Sequence, residues 1–426
     1  MYLSEIIKVV NGKSNLKDDI KINEIKTDTR KIKKGDIFIA LRGKNYDGHD
    51  FINEAIKKGA IACIVENEIN NNCIVVDSTY KSLYDLGKYI RDRHNIPLIA
   101  ITGSNGKTTT KELLSHILSS KYNVLKNPDS KNNLIGVSDT LFKLNKNDEI
   151  IVIELGTNHL GEINELSNMC NPDVGIITNI GSSHLEYFKK RKNIFKEKLS
   201  IKDGMSTNNL IINGDDKYLK RLKYYKCGLK KKNDLRAYNI KEELDKITFN
   251  IYLDKEYKIV FNNPGKHFIN DILLAIKVSL DYGIKIKTII KKINSFKITN
   301  KRMNVIEYNK NIIINDCYNA SFESVKGGLD YLNLIEYRKI IIIGDILELG
   351  KHSKKIHKKI NKLLKKINNK IVYTIGNYSK YIKGKHFKNS LELVEYLKEN
   401  RIENSYIYIK GSRRMNLDKV VDFLTH

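Results

Sequence analysis

Tryptophan is absent from this 426-residue chain, which also has only 4 prolines and 5 cysteines. The cysteines are odd in number, scattered and without C-x-x-C pairing, a usage that fits free thiols in a reducing cytosol. No stretch approaches the roughly 20 apolar residues that a membrane-spanning helix needs. The first residues lack the basic start, apolar core and cleavage site of a signal peptide. These absences predict a cytoplasmic protein that does not insert into a membrane.

The charge balance is strongly basic: 76 Lys and Arg against 49 Asp and Glu give a formal net charge of +27. Such a charge suggests nucleic-acid binding, but the lysines are spread in short groups and do not interleave with aromatics in a binding motif. Nucleic-acid binding is therefore a minor alternative, although the positive field would attract anionic nucleotides. With 41% hydrophobic residues, a chain of this length should form two or three globular domains.

The most informative stretch is a glycine-rich loop between a predicted strand and a predicted helix. Leu98–Ile101 forms a short apolar run typical of a buried strand, and leucines and isoleucines recur at helical spacing from residue 113. Backbone N–H groups in such a loop surround phosphate oxygens, while Lys107 reaches the outer phosphates and Thr108 holds Mg²⁺. The loop has Ile101 where the general P-loop pattern has glycine. The remaining residues predicted to bind the nucleotide here are Gly103, Ser104, Asn105, Gly106 and Thr109.

Further along the chain, β and α patterns alternate, which predicts a mostly parallel sheet covered by helices. Two predicted strands end at Glu154 and shortly before His184. Ligands of such sheets bind beyond the carboxyl ends of the strands. A carboxylate and an imidazole there could complete a divalent-metal site around ATP phosphates, although a lone histidine is more often structural.

The same patterns divide the chain into three α/β domains. A small domain precedes the phosphate loop, a hairpin and a helix follow the central sheet, and the alternation restarts after a change of composition at about Phe296–Arg302. In the last part, predicted strands end at Asn315-Asp316, Gly344-Asp345 and Lys410-Gly411. We therefore predict a small amino-terminal α/β domain (1–90), a central P-loop ATPase domain with a mostly parallel sheet (91–298), and a carboxy-terminal Rossmann-like α/β domain (299–426).

Several of these motifs, in this order, resemble the Mur ligases along essentially the whole chain. The family's phosphate loop T-G-(S/T)-N-G-K-T matches Thr102–Thr108, and its E-L-G-x-N-H-x-G-E-I pattern matches Glu154–Ile163. His184 begins an H-L-E pattern, and a lysine, Lys198, follows fourteen residues later. The carboxy-terminal patterns D-x-Y-N-A, G-D-(M/I)-x-E-L-G and K-G-S-R match 316–320, 344–350 and 410–413. The runs N-N-x-I-G-V (132–137) and G-D-I-L-E-L-G resemble the members that add D-alanyl-D-alanine.

The resemblance implies an ATP-dependent amide ligase, expected to be a monomer, with Mg²⁺ as its metal. ATP would phosphorylate the terminal carboxylate of UDP-N-acetylmuramoyl-tripeptide, and the amine of D-alanyl-D-alanine would attack the resulting acyl phosphate. Phosphorylation supplies a leaving group that a free carboxylate lacks, and the phosphoryl step needs positioning and charge neutralisation. The product would be the cytoplasmic pentapeptide precursor of peptidoglycan.

The same resemblance assigns roles residue by residue. Lys107, His184 and Lys198 are the implied catalytic residues, and Lys198 would carry a carbamate. The implied metal ligands are Thr108, Glu154, His184 and Lys198. The nucleotide would also contact Asn270, Asp271, Arg302 and Asp316. The UDP-substrate side would include Thr29, Arg30, Asn158 and His159, and the dipeptide side Asn319, Lys410 and Arg413. On sequence alone, a solvated surface lysine would be the usual interpretation of Lys198, and only its offset from His184 favours a role in the site.

The chain departs from the family pattern at three places. The family's G-x-H-N-x-x-N appears as residues 265–271 with Phe268 and Asp271 in place of both asparagines, while Asn270 lies one residue early. Phe322 replaces a loop proline, which loosens the loop, and Ser138 stands where proline is common. None of these changes removes a phosphate-binding or metal-binding group.

Alternatives remain open at this stage. A sibling enzyme, either a different Mur ligase or a folylpolyglutamate synthase, is the nearest alternative. The amino-terminal motifs T-D-T-R (27–30) and D-G-H-D-F-I (47–52) resemble the family's domain for the UDP end of its substrate, which disfavours the folate enzyme. A non-catalytic protein that kept the fold is the second alternative. Intact Lys107, Glu154, His184 and Lys198 favour an active enzyme.

Overall fold

The computed structural model describes residues 1–16, 18–43, 45–67, 72–298 and 302–426. Contacts divide the chain into two compact units. The first comprises Met1–Thr102, Lys121–Ile176 and Leu199–Leu210, and the second Gly103–Ser120, Ile177–Lys198 and Ile211–His426. Residues 299–301, within the predicted linker and beside the predicted domain boundary, lie outside the described residues.

The first unit begins with a five-stranded sheet in the order β1-β5-β4-β3-β2. Only β1 is antiparallel to its neighbour. The strands are β1 Lys13–Ser14, β2 Ile25–Lys26, β3 Ile37–Ile39, β4 Ala62–Val65 and β5 Cys73–Val75. The helices are α1 Leu3–Val9, α2 Ile52–Lys57 and α3 Thr79–Asp92. Every residue of β3 and β4 is buried, as expected for short apolar strands covered on both faces.

Four further strands of the first unit lie in the order β9-β6-β8-β7. Their bounds are β6 Leu98–Thr102, β7 Val124–Lys126, β8 Ile150–Glu154 and β9 Val174–Ile177. Strand β8 pairs in parallel with both β6 and β7. Helix α4 (Lys107–Leu118, in the second unit) follows β6, and α5 (Leu134–Leu141) and α6 (Glu162–Cys170) flank β8 in sequence. The predicted strands before the phosphate loop and before Glu154 are confirmed.

The second unit continues with short helices, a parallel strand set and an antiparallel sheet. The elements are α7 Leu185–Phe188, α8 Arg191–Leu199, β10 Leu210–Asn213, β11 Tyr225–Gly228, β12 Leu235–Arg236, β13 Tyr238–Glu242, β14 Ile247–Tyr252, β15 Glu256–Phe261, α9 Phe268–Asp281 and α10 Ile286–Ser295. The predicted hairpin is β14–β15, to which β13 adds an edge strand. The sequence predicts a helix from Ile272 to Tyr282. Helix α9 starts four residues earlier, at Phe268, because Phe268 and Ile269 are buried and extend its apolar face. It packs on α4, the helix after the phosphate loop.

The last part of the chain forms a six-stranded sheet in the order β16-β17-β21-β18-β19-β20, antiparallel only at β16. Its strands are β16 Asn304–Tyr308, β17 Asn311–Asn315, β18 Lys339–Gly344, β19 Lys370–Ile375, β20 Lys385–Phe387 and β21 Tyr406–Lys410. Its helices are α11 Phe322–Leu332, α12 Ser353–Leu364, α13 Ser390–Glu399 and α14 Asp418–Thr425. The three strands predicted to deliver polar residues, β17, β18 and β21, are neighbours. Their carboxyl ends therefore share one sheet edge.

None of the helices in the described ranges has both the length and the apolar composition required to cross a membrane.

Candidate functional site

The phosphate loop runs from Gly103 to the start of α4, and Lys107 is the first residue of that helix. The Lys107 Nζ atom donates a hydrogen bond to the Gly103 carbonyl at 3.0 Å. Gly106 precedes the helix at φ +82°, and a Cβ there would lie 2.3 Å from the Asp271 Oδ1 atom. Both the left-handed backbone and the close approach therefore require glycine. The loop presents backbone N–H groups at a helix N-terminus, a geometry that suits phosphate oxygens.

Asn179 holds the phosphate loop in shape, a role that the sequence analysis missed. Its side chain accepts from the Asn105 N–H at 3.0 Å and donates to the Asn105 carbonyl at 3.0 Å. Its carbonyl accepts from the Ser104 N–H at 3.0 Å. The Ser104 hydroxyl in turn accepts from the Gly181 N–H at 2.8 Å. The available signal was its place two residues after strand β9, where ligand-facing residues are expected.

Arg302 contacts the beginning of helix α4. Its Nη2 atom donates to the Thr108 hydroxyl oxygen at 3.0 Å. Ser321, at the N-cap of α11, donates to the Asn105 side-chain oxygen at 2.8 Å. Within the second unit, the predicted nucleotide-binding residues Thr108 and Asn105 are therefore contacted by Arg302 and Ser321, respectively. Ser321 was not among the predicted site residues.

Glu154 lies in the first unit, at the end of β8, and is 3% exposed. Its Oε1 atom accepts from Asn132 Nδ2 at 2.7 Å. The buried Asn127 side chain donates to the Glu154 carbonyl at 3.0 Å and accepts from its N–H at 2.9 Å. Two asparagines therefore fix both the backbone and the carboxylate of the predicted metal ligand.

His184 adopts a left-handed backbone conformation at φ +57° and precedes helix α7. Its Nδ1 atom lies 2.5 Å from the Glu348 Oε2 atom. Glu348 also has a left-handed backbone, at φ +60°. The contact with the His184 ring lowers the pKa of Glu348 below its usual range, which favours the carboxylate. Glu348 belongs to a motif of the sequence but was not predicted to contact His184.

Lys198, in helix α8, is 2% exposed. A lysine buried to this extent is not a solvated surface residue. The structure therefore excludes the alternative that Lys198 is one of the chain's many surface lysines.

Asn270 and Asp271 both lie in the first turn of helix α9. Asp271 is 6% exposed, and burial raises its pKa well above the usual value, against smaller opposing effects of Thr110 and Arg302. A protonated carboxyl group can donate a hydrogen bond as an asparagine amide does. The Asn270 side-chain oxygen is buried and has no hydrogen-bond partner among the described residues.

Asp316, Lys410 and Tyr408 form a buried cluster at the shared edge of β17 and β21. The Asp316 Oδ2 atom accepts from Lys410 Nζ at 2.6 Å and from the Tyr408 hydroxyl at 3.0 Å. This arrangement joins a residue predicted for the nucleotide to one predicted for the dipeptide. Desolvation raises the pKa of Tyr408 well above its usual range, so its hydroxyl keeps its proton.

A small cavity of about 130 Å³ lies in the second unit. It is lined by His184, Glu348, Asn319, Ser412, Arg413 and their sequence neighbours. The cavity therefore brings together the imidazole that was predicted to bind metal and two residues that were predicted for the dipeptide side.

The predicted UDP-side residues all belong to the first unit. Thr29 is 8% exposed, whereas the Arg30 side chain is 85% exposed. Hydrogen bonding to Arg30 lowers the pKa of Asp28 to about 2, so this carboxylate is charged at neutral pH. Asn158 and His159 donate their backbone N–H groups to the Glu162 carboxylate at 2.6 and 3.1 Å.

Three or more His, Cys, Asp or Glu side chains do not converge as a metal site anywhere in the described ranges. Mg²⁺ typically binds through one or two carboxylates plus substrate phosphates and water. The Glu154 carboxylate and the Thr108 hydroxyl are oxygen donors of the kind that Mg²⁺ prefers. Thr108, Glu154, His184 and Lys198 stay predicted metal ligands.

Comparison with known proteins gives matches along almost the entire chain. Three family models match: "Mur ligase family, catalytic domain" at residues 21–99, "Mur ligase middle domain" at 101–279, and "Mur ligase, glutamate ligase domain" at 301–414. The UDP-N-acetylmuramoyl-tripeptide–D-alanyl-D-alanine ligase of Buchnera aphidicola (subspecies Baizongia pistaciae) is 36% identical over 95% of this chain and 93% of its own. The ligase of the same name from Bacillus subtilis is 31% identical over 94% and 92%.

Solved structures agree with these matches. A crystal structure of MurF from Acinetobacter baumannii has a TM-score of 0.93 at 27% identity, covering 99% of this chain and 98% of its own. MurF from Thermotoga maritima, solved in complex with ADP, has a TM-score of 0.87 at 26% identity, covering 94% and 97%. The folylpolyglutamate synthase of L. casei shares only the fold, with 12% identity, a TM-score of 0.60, and coverage of 80% and 94%. The predicted three-domain α/β fold class is confirmed.

Proposed function

The chain belongs to the Mur ligase family, and we propose that it is the ligase that adds D-alanyl-D-alanine to UDP-N-acetylmuramoyl-tripeptide. The observation that carries this proposal is the similarity, at 30% identity or more over at least nine-tenths of both chains, to several ligases of that name. The proposed site residues and the domain boundaries at residues 90 and 298 stay predictions.

In the proposed reaction, ATP transfers its terminal phosphoryl group to the peptide carboxylate, and ADP leaves. The dipeptide amine then attacks the acyl carbon, its proton is lost, and phosphate departs as the amide forms. Phosphoryl transfer depends on positioning and charge neutralisation rather than on covalent participation by the protein.

The residues of the phosphate loop would perform most of the positioning. Asn179 already binds the Ser104 and Asn105 N–H groups, so the backbone N–H groups at the start of α4 would hold the phosphate oxygens. The Lys107 Nζ atom would exchange the Gly103 carbonyl for a phosphate oxygen. Lys107 would thereby neutralise charge that develops during transfer.

Mg²⁺ would supply further charge neutralisation at the ATP phosphates when bound. Thr108 and Glu154 would hold it, His184 would help to hold a second ion, and Lys198 would contribute as a carbamate. The Glu154 carboxylate is suited to this role because Asn132 fixes its side chain and Asn127 fixes its backbone. A buried Lys198 is suited to carbamate formation, in which the neutral amine adds to carbon dioxide and releases a proton.

The remaining predicted residues would bind the other reactants. Asn270, Asp271, Arg302 and Asp316 would contact the nucleotide. Thr29, Arg30, Asn158 and His159 would contact the UDP-linked substrate, and Asn319, Lys410 and Arg413 the dipeptide. We further propose that the protein acts in the cytoplasm as a monomer and binds no nucleic acid.

The decisive experiment follows ADP and phosphate release in the presence of ATP, the tripeptide precursor and D-alanyl-D-alanine, with product mass determined by mass spectrometry. Release should require both co-substrates, and Lys107→Ala should abolish it. Lys358→Ala, at an exposed position of α12, is the matched control and should keep the activity. ADP release without the dipeptide, or wild-type protein that fails to turn ATP over, would contradict the proposal.

A further inference from the structure

The aromatic ring of Tyr318 lies close to two arginines from distant parts of the second unit. The Arg302 guanidinium carbon is 4.5 Å from the ring centroid, and that of Arg413 is 5.4 Å away. Both distances lie within the range of about 6 Å in which a guanidinium is attracted to the negative face of a ring. Tyr318 therefore forms a cation–π contact with each arginine.

The two arginines face different parts of the proposed site. Arg302 donates to the Thr108 hydroxyl, directly after the phosphate loop. Arg413 lines the 130 Å³ cavity that also contains His184 and Asn319. The Tyr318 ring is thus the common contact of one guanidinium on the nucleotide side and one on the dipeptide side.

Neither guanidinium has a carboxylate within ion-pair distance in the described part of the chain. No carboxylate there forms an ion pair with Arg302 or Arg413, whereas the neighbouring Lys410 is paired with Asp316. The Arg302 Nε atom is buried and has no hydrogen-bond partner among the described residues. A buried, unpaired N–H of a cation is costly unless an anionic group occupies the site.

We propose that Tyr318 is a positioning residue that holds Arg302 and Arg413 in place for the anionic groups of the two bound reactants. This inference rests on the proposed function. Two like charges would otherwise repel each other and sample many rotamers, and the ring gives both of them a fixed, attractive surface. Because the ring contacts both arginines, its loss affects the nucleotide and the dipeptide together.

The first test compares Tyr318→Leu with Tyr318→Phe in the assay of ADP release. Loss of the ring should raise KM for both ATP and D-alanyl-D-alanine by about 3-fold to 30-fold, the range expected for one or two cation–π contacts. Tyr318→Phe keeps the ring and should restore both KM values to within about 2-fold of wild type. A change in kcat alone, with both KM values unchanged, would overturn the inference.

The second test separates the charge of the ring from its volume. The starting protein is the Tyr318→Phe variant. Its new ring is replaced by phenylalanine analogues with one, two and three fluorine atoms, which weaken the attraction of the ring for cations at nearly constant size. Both KM values should rise stepwise with fluorination, and the melting temperature should stay constant. Equal KM values across the series would overturn the inference even if Tyr318→Leu fails to fold.

A third measurement tests the path through Arg413. In an Arg413→Met background, Tyr318→Leu should no longer raise KM for the dipeptide but should still raise KM for ATP. An undiminished dipeptide effect would show that Tyr318 does not act through Arg413. Failure of the proposed function is distinguishable, because wild-type protein would then release no ADP in response to the dipeptide.

Discussion

The Lys410 Nζ atom lies 2.6 Å from the Asp316 Oδ2 atom, and these residues are 2% and 7% exposed. The same carboxylate also accepts hydrogen bonds from the Tyr408 hydroxyl at Oδ2 and from the Met303 N–H at Oδ1. A buried pair of this kind holds two neighbouring strand ends together, but removal of one partner leaves an uncompensated charge in the interior.

Lys410→Met should therefore destabilise the fold by about 3–5 kcal/mol in urea unfolding. The matched control is Lys398→Met, which breaks an exposed pair with Glu395 of nearly the same length, 2.8 Å. That change should cost less than about 1 kcal/mol because solvent screens the pair. Equal effects of the two substitutions would show that burial of the Asp316 pair is energetically unimportant.

Gly106→Ala should abolish ATP-dependent turnover and lower the melting temperature. The added Cβ would meet the Asp271 carboxyl group at 2.3 Å, in addition to the strain of φ +82°. Gly161→Ala is the control for strain alone, because Gly161 has φ +95° and a Cβ added there would meet none of the described residues within 4 Å. We expect the control to cost about 1–2 kcal/mol, the usual penalty of a left-handed backbone. A Gly106 variant no less stable than the control would exclude the clash.

Asp271→Asn should stabilise the protein at neutral pH. Burial raises the pKa of Asp271 well above 3.8, so the folded state binds a proton that the unfolded state has released. Stability contributed by this group is complete below the unfolded pKa and declines as pH rises toward the folded pKa. Asparagine cannot ionise and removes this decline. The check is the free energy of unfolding between pH 4 and 8 for both proteins, and parallel curves would refute the prediction.

His357 should produce a pH dependence of opposite sign. Its Nδ1 atom lies 2.8 Å from the Ser353 carbonyl and its Nε2 atom accepts from the Ile346 N–H at 3.0 Å, which fixes the neutral ring. Burial lowers the pKa of His357 below 6.5, so the unfolded state takes up a proton first and stability falls as pH drops below about 6.5.

His357→Gln should remove this acid-side loss between pH 5 and 7, whereas His352→Gln, at a less buried position, should keep it. The measurement is again the free energy of unfolding against pH. A loss of stability that persists in His357→Gln would assign it to another group.

The sequence predicted the fold class and the strands that border the site because their signals are local. Leu98–Ile101, Ile150–Ile153 and Ile340–Ile343 are short apolar runs that end in glycine or acidic residues, and each became a buried parallel strand. The early start of α9 and the edge strands β13 and β16 were missed, because burial of Phe268 and pairing at a sheet edge depend on tertiary neighbours.

For the candidate site, the sequence predicted individual residues but not the contacts between them. Lys107, Glu154 and His184 could be selected by their position after strands, but their partners could not. Asn179 was visible as a strand-end residue, yet nothing in the pattern indicated that it brackets Asn105. The contacts of Glu348 with His184 and of Tyr318 with Arg413 join residues more than 90 positions apart. The contact of Tyr318 with Arg302 joins two residues outside helices and strands, where sequence spacing carries no information.

The hydrogen bond from Ser321 to Asn105 spans more than 200 residues and ends within the phosphate loop itself. Glu323, two residues later, accepts from both the backbone and the hydroxyl of Ser182, beside the segment that supports that loop. Helix α11 and the phosphate loop are consequently held by the same hydrogen bonds, so movement of one requires movement of the other. In such a ligase, departure of the nucleotide from the loop would also alter the contacts at the amino end of helix α11. The rate of product release would then depend on the hydrogen bonds made by Ser321 and Glu323 as much as on the loop itself.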